Sequence, residues 1–439
     1  MKTADTQDKM EDDLVNVTFI GCGGCGGRLL VELKRRIQQC KNSKIKPQYY
    51  YVDTSVYALK NVEEKDKEIN TTEISAPGSA PGVYRDPEFV YYTYSDNPNM
   101  VEAALGSIMP QDTQKKEIAI ILRGEGGGTG AGIGGVFLPR VLSDKKFSPI
   151  YSITILPNPI STLDALPEIR AAVCARRIRT DMHTKRTNDT LIEPDLEIPI
   201  DNGTVEEMYL AEIPEEKDKS LGSQHSNIYT ALNQKIIEIV CIILSALTFG
   251  SFRRGPTLFH RVIGSSVCFP YIKYLTEDEM NLLSSTNEAD KKNIARIILE
   301  TLSKTISGSN IILEETETGQ TNASLAGGSG SKIILKTKPY RWGIFPVIAY
   351  KEKEPKSTEI NSWIETIVGK DIFNEIQTPE TINSPYLPEK YEYALSFFVY
   401  PIKFSGVWNP GFFKWYKETL TNRTMKILEW EWWEDGNKK

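Results

Sequence analysis

Apolar residues in the first part of the chain form short β-branched runs, separated by longer segments that include helical periodicity. Such runs have the length and composition of strands buried in a parallel sheet. They lie at 14–21, 49–52, 118–122 and 150–156. Between the first two runs, the segment 28–39 places three leucines and Ile37 on one helical face. Strands that alternate with amphipathic helices predict an α/β fold with a parallel sheet.

A longer apolar segment, 227–249, follows these runs and is the clearest helix in the sequence. It is apolar on most sides, so we expect it to be buried between two layers or two domains. Beyond it the composition changes, and 318–331 is rich in Gly, Ser and Thr. The other predicted elements are a turn at 201–203, a helix at 279–307, strands at 332–336, 342–350 and 391–402, and a terminal helix at 411–433.

These patterns divide the chain into a parallel-sheet domain, a long central helix, a second domain of α+β type and a C-terminal helix with its tail. At 439 residues the chain is too long for one ordinary core, which agrees with two domains. The limits that we assign are 14–226, 227–249, 250–405 and 406–439.

Two glycine-rich segments interrupt this pattern, each directly after a predicted strand. The first glycine segment is Gly21–Gly27, and the second glycine segment is Gly124–Gly135. Glycine lets the backbone approach a bulky anion and adopt dihedral angles that side chains forbid. The N–H groups of such a loop, and of the helix after it, point at the anion. The pattern predicts a nucleotide-binding domain, in which Asp53 contacts a ribose or a metal, or caps the next helix.

Composition narrows the class of protein. Hydrophobic residues make up 40% of the chain and charged residues 25%, as in globular proteins. The net charge of −6 argues against a general nucleic-acid coat. We expect no apolar run to be long enough to span a bilayer, and the polar residues 1–13 are unlike a secretory signal. We therefore expect a cytoplasmic protein with no membrane partner, whose six cysteines are reduced.

Cys22 and Cys25 form a C-x-x-C motif inside the first glycine segment. A zinc site needs a second such pair or a cluster of histidines, whereas the three histidines of this sequence are scattered. We interpret the two cysteines as small side chains that line the loop, with a metal or redox role as the alternative. We assign no metal ligand.

The order Gly-Gly-Gly-Thr-Gly-Ala-Gly at Gly126–Gly132 resembles the glycine motif of the tubulin/FtsZ superfamily. It lacks the Gly-Lys-Ser/Thr of a Walker P-loop, and it lies several elements into the chain, unlike a Rossmann fingerprint. The first glycine segment resembles the opening loop of that family in place and content. The resemblance covers residues 15–249 and implies that 14–226 is a GTP-binding domain. It implies GTP or GDP as the ligand, with Mg²⁺ bridging the phosphates.

The resemblance also implies which loops hold the nucleotide, largely through their backbone. Besides the two glycine segments, these include the loop 75–86 and the end of the strand at 49–52. The positions implied are Gly21, Cys22, Gly23, Gly24, Cys25, Asp53, Gly82, Gly126, Gly127, Gly128, Thr129 and Gly130.

Sugar and base contacts are implied one by one. Pro157 lies in a segment that resembles the sugar-binding loop, and Glu168 lies near the ribose-binding carboxylate of the family. Asp164 is the rival for that role, and a surface carboxylate is the ordinary alternative. Asn202 and Asn233 resemble the purine-reading asparagines, since an amide can both donate to and accept from guanine. Tyr229, one helical turn before Asn233, can stack on the ring, although Asn233 packing against a loop remains an alternative.

One departure from the family concerns the loop after the long helix. In the family this loop carries acids that act on the nucleotide of the next subunit in a head-to-tail filament. Here 250–256 contains none, and no Asp or Glu occurs from Ile239 to Thr276. A general base is therefore missing from this loop. Arg253 or Arg254 could stabilise the phosphate charge of a neighbouring subunit, or the site binds GTP with slow or absent hydrolysis. The ordinary alternative is that the two arginines form a solvated surface pair. Whether the chain is a GTPase stays open.

The leading hypothesis from the resemblance is a GTP-binding protein that assembles head to tail into cytoskeletal filaments. The long predicted terminal helix, which ends in Glu429–Trp433, is more similar to that of plasmid- and phage-borne members (TubZ- and PhuZ-like). This resemblance implies DNA or virion positioning, with a DNA-bound adaptor or virion component as partner. The tryptophans of the terminal helix either dock a partner or pack on their own domain. The alternatives are a non-polymerising regulator or scaffold, and a metabolic enzyme on a dinucleotide-binding fold.

Overall fold

The computed structural model places most of the first 303 residues and much of the last third of the chain. The residues that it describes are 14–40, 45–64, 66–74, 86–96, 98–112, 117–157, 171–172, 174–175, 193–211, 225–249, 263, 267–303, 314–315, 333–334, 342–355, 359–368 and 373–402. Elements are numbered below in chain order within these residues.

The first sheet has six parallel strands in the order β3-β2-β1-β4-β5-β6. Its inner strands are buried along nearly their whole length, as expected for a parallel sheet that is covered on both faces. The strands are β1 (Val15–Cys22), β2 (Ile45–Asp53), β3 (Asn70–Glu73), β4 (Ile118–Gly124), β5 (Ile150–Leu156) and β6 (Leu196–Asp201).

Helices follow the strands of the first sheet. They are α1 (Gly23–Gln39), α2 (Val56–Glu63), α3 (Pro87–Ser95), α4 (Pro98–Ala104), the π-helical segment Thr129–Phe137 with α5 (Leu138–Asp144), and α6 (Asn202–Ala211). Buried leucines of α1 pack on the sheet, because Leu29, Leu30 and Leu33 recur on one face of the helix.

The central helix α7 (His225–Phe249) joins the two halves of the core. It packs against α1 and α6 on one side, and against strands of a second sheet on the other. Its stretch Thr230–Leu247 is long and apolar enough to cross a membrane by length and composition, contrary to our expectation from the sequence. However, 72% of that stretch is buried inside the protein, and a core helix passes the same test. The finding is therefore weak support for a membrane span.

The strands of the second sheet are β7 (Phe269–Leu275), β10 (Trp342–Tyr350), β11 (Phe373–Ile376), β12 (Glu380–Asn383) and β13 (Tyr393–Pro401). The sheet is mixed, because β13 pairs antiparallel with β10 and β7, whereas β11 and β12 are parallel to β10. A separate pair consists of β8 (Glu314–Glu315) and β9 (Ile333–Ile334). The helices beside the second sheet are α8 (Glu277–Leu283), α9 (Lys291–Ser303) and α10 (Ile360–Ile367). The α+β character predicted for this half is confirmed.

A stack of charged and aromatic side chains ties α7 to the second sheet. The Lys235 ammonium, only 5% exposed, lies 5.0 Å from the centroid of the Tyr274 ring. That ring stacks on Tyr391 at 4.7 Å, and Lys390 covers the outer ring at 4.9 Å. Each cation lies on a negative ring face, which stabilises the contact.

Three local predictions are wrong for identifiable reasons. The turn predicted at 201–203 is the start of α6, because Asp201 accepts from the backbone N–H groups of Gly203 and Thr204 at 3.3 and 3.1 Å. The helix predicted at 279–307 is interrupted between α8 and α9, where Ser285 and Asn287 hydrogen-bond to nearby backbone. Helix α1 begins at Gly23 rather than at Arg28. The predicted helix at 411–433 and the loop at 318–331 lie outside the described residues.

We predict that Ile243→Ala in α7 lowers the free energy of unfolding by about 2–5 kcal/mol, because it opens a cavity in a core shared by both sheets. Ile243 is fully buried. Urea denaturation followed by circular dichroism checks this. Gln234→Ala, at an exposed position of the same helix, is the control and changes stability by less than about 0.5 kcal/mol. Equal stability of the two variants contradicts the placement of α7 in the core.

Candidate nucleotide-binding site

The two glycine segments meet at the carboxyl ends of β1 and β4, where open parallel sheets bind ligands. Their backbones are too close to admit side chains. A Cβ on Gly26 would lie 2.2 Å from the Leu122 carbonyl oxygen, and a Cβ on Gly130 would lie 2.5 Å from that of Gly124. Gly23 has φ +73°, and its Cβ would lie 2.9 Å from the Gly130 nitrogen. Gly26 is therefore required by packing on β4, Gly130 by packing within its own segment, and Gly23 by packing of the first segment on the second.

Gly24 and Gly127 differ from these glycines, because their missing side chains leave open space. A Cβ on Gly127 would meet no described atom within 4 Å, and one on Gly24 would meet only the Arg28 guanidinium, at 3.8 Å. Close packing within the protein therefore does not account for glycine at these two positions. Both leave the backbone of the strand-end turns open to a ligand, as a phosphate-binding loop requires.

The helices that start from the glycine segments have no side-chain cap. Neither Cys22, at the start of α1, nor Gly128, at the start of the π-helical segment, provides a side-chain hydrogen bond to the first turn. By contrast, Ser55 caps α2 and Asp86 caps α3. The first N–H groups of α1 and of the π-helical segment are thus not used by a capping side chain. Such N–H groups attract anions.

Asp53 fixes the second glycine segment to the end of β2. Its carboxylate is 5% exposed and accepts from the Tyr51 hydroxyl at 2.6 Å and the Thr54 N–H at 2.7 Å. The Thr129 hydroxyl donates to it at 3.2 Å and also lies 2.8 Å from the Thr54 hydroxyl. Ser55, not Asp53, provides the cap of α2 through the Ala58 N–H. Asp53 therefore positions Thr129 within the glycine motif.

A buried ionic network lies at the start of the second glycine segment. Arg123, 1% exposed, contacts the Glu125 carboxylate and donates to Glu197 at 3.0 Å and to Ser152 at 3.0 Å. Thr154 also donates to Glu197 at 3.0 Å. The network joins β4, β5 and β6, and sequence reasoning missed it. The available signal was the charged pair Arg123 and Glu125, which flanks Gly124 at the end of an apolar run.

The two cysteines of the first glycine segment lie in different environments. Cys22 is buried and its thiol donates to the Thr129 carbonyl at 3.5 Å. Burial, and then the nearby Asp53 carboxylate, raise the pKa of this thiol well above its usual range, so it stays protonated. Cys25 is half-buried, and its sulfur is not part of a disulfide. Within the described residues, no group of three or more His, Cys, Asp or Glu side chains is placed to hold a metal ion.

A cavity of about 420 Å³ adjoins the first glycine segment and extends to α7. Gly24, Arg28, Tyr51, Asn61, Thr230 and Asn233 are among the residues that line it. The half-buried Asn233 thus lies in the same cavity as the open face of the first glycine segment. Asn202, at the start of α6, has a buried amide oxygen with no hydrogen-bond partner among the described residues. A free acceptor of this kind suits the N–H groups of a guanine edge.

Only some of the remaining predicted site residues lie within the described part of the structure. Pro157 is buried directly after β5, beside the end of β6. Gly126 is half-buried and Gly128 is buried. Tyr229 lies on α7, but its side chain is outside the described part of the structure. The predicted site residues that lie wholly outside the described residues are Gly82, Asp164, Glu168, Arg253 and Arg254.

Comparison with known proteins identifies the fold. No family model and no curated protein matches the sequence. The six-stranded parallel sheet, the central helix and the second mixed sheet form the tubulin/FtsZ fold. The chain is similar to CetZ from Methanosaeta thermophila, with 15% identity and a TM-score of 0.57 over 97% of this chain and 98% of the other.

Two further solved structures resemble this chain to a similar degree. CetZ1 from Haloferax volcanii, solved as a GDP-bound monomer, is 14% identical, with a TM-score of 0.56 over 93% of this chain and 99% of the other. TubZ from Bacillus thuringiensis serovar israelensis, solved as a GTPγS-form protofilament, is 13% identical, with a TM-score of 0.55 over 97% of this chain and 95% of the other. At these identities the likeness concerns the fold.

We predict that Gly127→Ala weakens binding of a guanine nucleotide by about tenfold or more, because the added methyl group occupies space that the phosphates need. The magnitude corresponds to the loss of one hydrogen bond to a charged group, which is worth about 1.5–3 kcal/mol. Isothermal titration calorimetry with GDP measures this. Gly106→Ala is the matched control, because a Cβ there also meets no described atom within 4 Å and lies at a remote exposed position. Equal affinities of the two variants contradict a ligand-facing role for Gly127.

We predict that Arg123→Met lowers the free energy of unfolding by about 3–5 kcal/mol, because it removes the cation from between two buried carboxylates. The exposed Arg35→Met, whose partner Glu32 lies at 2.7 Å on the surface of α1, is the control and costs at most about 1 kcal/mol. Urea denaturation of both variants compares them. Similar losses in the two variants argue against the buried network.

Proposed function

We propose that this chain binds GTP and GDP and assembles head to tail into cytoskeletal filaments. The observation that carries the proposal is the junction of the two glycine segments beside a cavity that reaches Asn233. Open backbone at Gly24 and Gly127 suits phosphates, and the amides of Asn202 and Asn233 suit a guanine edge. The neighbours named above, one bound to GDP and one in a GTPγS-form protofilament, support the same ligand.

Thr129 and the glycine backbone suit the phosphate end of the nucleotide, and Mg²⁺ would bridge the phosphate oxygens there. The free acceptor on Asn202 suits the N1–H and N2–H₂ donors of guanine, whereas adenine offers only its N6 amino group as a donor at that edge. We extend the proposed nucleotide site to Gly82, Pro157, Glu168 and Tyr229, because the sequence resembles the tubulin/FtsZ superfamily at these positions.

Self-association is proposed because the neighbours include a TubZ protofilament and a two-stranded TubZ filament. CetZ and TubZ structures match this chain with nearly equal TM-scores, so the fold alone does not favour the plasmid-borne members. Positioning of plasmid or phage DNA or of virions, a DNA-bound adaptor and a cytoplasmic location therefore rest on the sequence. We keep the proposed domain limits of 14–226, 227–249, 250–405 and 406–439 on the same basis.

Hydrolysis is proposed to be slow, because the segment 239–276 contains no acid that could act as a general base on a neighbouring subunit. Arg253 or Arg254 would then stabilise the charge of the phosphates rather than activate water. The same observation favours a second candidate function, a non-polymerising regulator or scaffold that binds nucleotide. The two candidates differ in one measurable property, which is assembly.

We predict that GTP and GTPγS, but not GDP, raise the right-angle light scattering of the full chain at high protein concentration. Asn233→Ala is expected to weaken GTP binding by about tenfold, the cost of about one lost hydrogen bond, and to raise the concentration needed for assembly. Gln234→Ala, its exposed neighbour on α7, should behave as wild type.

Sedimentation velocity under the same conditions separates the alternatives. GTP binding by a chain that stays monomeric in several salts supports the regulator or scaffold and contradicts the filament. Tight binding of NAD without binding of GTP supports a dinucleotide-dependent enzyme instead.

A further inference from the structure

Arg28 occupies a position in the cavity that the sequence comparison did not single out. It is an exposed residue near the start of α1, and it lines the cavity of about 420 Å³ together with Asn233. One guanidinium nitrogen lies 3.8 Å from the point where a Cβ on Gly24 would stand. The side chain therefore folds back towards the first glycine segment and does not extend away from it into solvent.

The positive charge of Arg28 has no ion-pair partner among the described residues. Glu32, one turn further along α1, lines the same cavity, but its carboxylate pairs with Arg35 at 2.7 Å. The other polar groups lining the cavity include the neutral side chains of Asn61, Thr230 and Asn233. An arginine beside an open glycine turn and an uncapped helix start adds a full charge to partial charges of the same sign. The combination favours an anionic ligand.

We propose that Arg28 donates to a phosphate of the bound guanine nucleotide, so that a side-chain cation supplements the backbone N–H groups of the two glycine segments. This inference rests on the proposed function and deepens it. The planar guanidinium matches phosphate oxygens with two parallel hydrogen bonds, which makes it stronger and more specific than an ammonium. The same fork also matches the acceptor pair of guanine, so the phosphate and the base must be separated by experiment.

The experiment is a competition series with the purified full chain. GTP, GDP, GMP and guanosine each displace a fluorescent GDP analogue from wild type, Arg28→Ala, Arg28→Lys and Arg35→Ala. We expect Arg28→Ala to weaken GTP and GDP about tenfold or more, to leave guanosine unchanged, and to flatten the salt dependence of GDP binding. Arg28→Lys should recover part of the loss, because it keeps the charge without the fork. Arg35→Ala, an exposed residue of the same helix, should match wild type.

Each result has a defined meaning. Unchanged GTP and GDP affinities in Arg28→Ala overturn the inference alone, because the nucleotide then binds without this side chain. An equal loss for guanosine and GTP also overturns it and assigns Arg28 to the base. Failure of the wild-type chain to bind any guanine nucleotide overturns the proposed function and this inference together. Urea denaturation of the variants separates loss of binding from loss of folding.

Discussion

The close approach of two backbones at the ends of β1 and β4 is the constraint on which the site depends. A side chain on Gly26 would stand 2.2 Å from the Leu122 carbonyl oxygen of β4, and one on Gly23 would stand 2.9 Å from the Gly130 nitrogen, so the first glycine segment admits neither without displacing the backbone opposite. This contact brings the uncapped starts of α1 and of the π-helical segment Thr129–Phe137 to the same edge of the sheet. The backbone donors needed for an anion are thereby arranged before any ligand arrives.

Buried polar groups hold the second glycine segment at two points. In the middle of the segment Thr129 donates to Asp53, and at its start Glu125 contacts Arg123, which Glu197 and Ser152 hold in turn. Buried ion pairs contribute little net stability compared with apolar packing, but removal of one partner is costly. Their value at this place is geometric, because fixed side chains on three strands limit how far the glycine backbone can shift.

Much of the architecture could be predicted from local pattern. Strands such as β5 and β10 were predicted with their observed limits, because β-branched runs and glycine turns carry their signal within a few residues. Short polar elements such as β3 were missed, because Asn70–Glu73 has almost no apolar residue and acquires its structure from β2. The contact of Arg123 with Glu197 spans 74 residues and depends on strand order, so no local pattern predicts it. Asp53 was singled out from its place at the end of a predicted strand, whereas its attachment to Thr129 required the structure.

Helix α7 carries Asn233 in the cavity and, two residues later, Lys235 in the aromatic stack with Tyr274 and Tyr391. At 25 residues it is about 37 Å long. A continuous α-helix that passes between the two sheets would carry a tilt at one end to the other. A tilt of about 3° at its first turns displaces its far end by about 2 Å, by the same rise per residue. A small adjustment around the proposed purine would thus become, at the far end of the helix, a movement large enough to alter how one surface fits another.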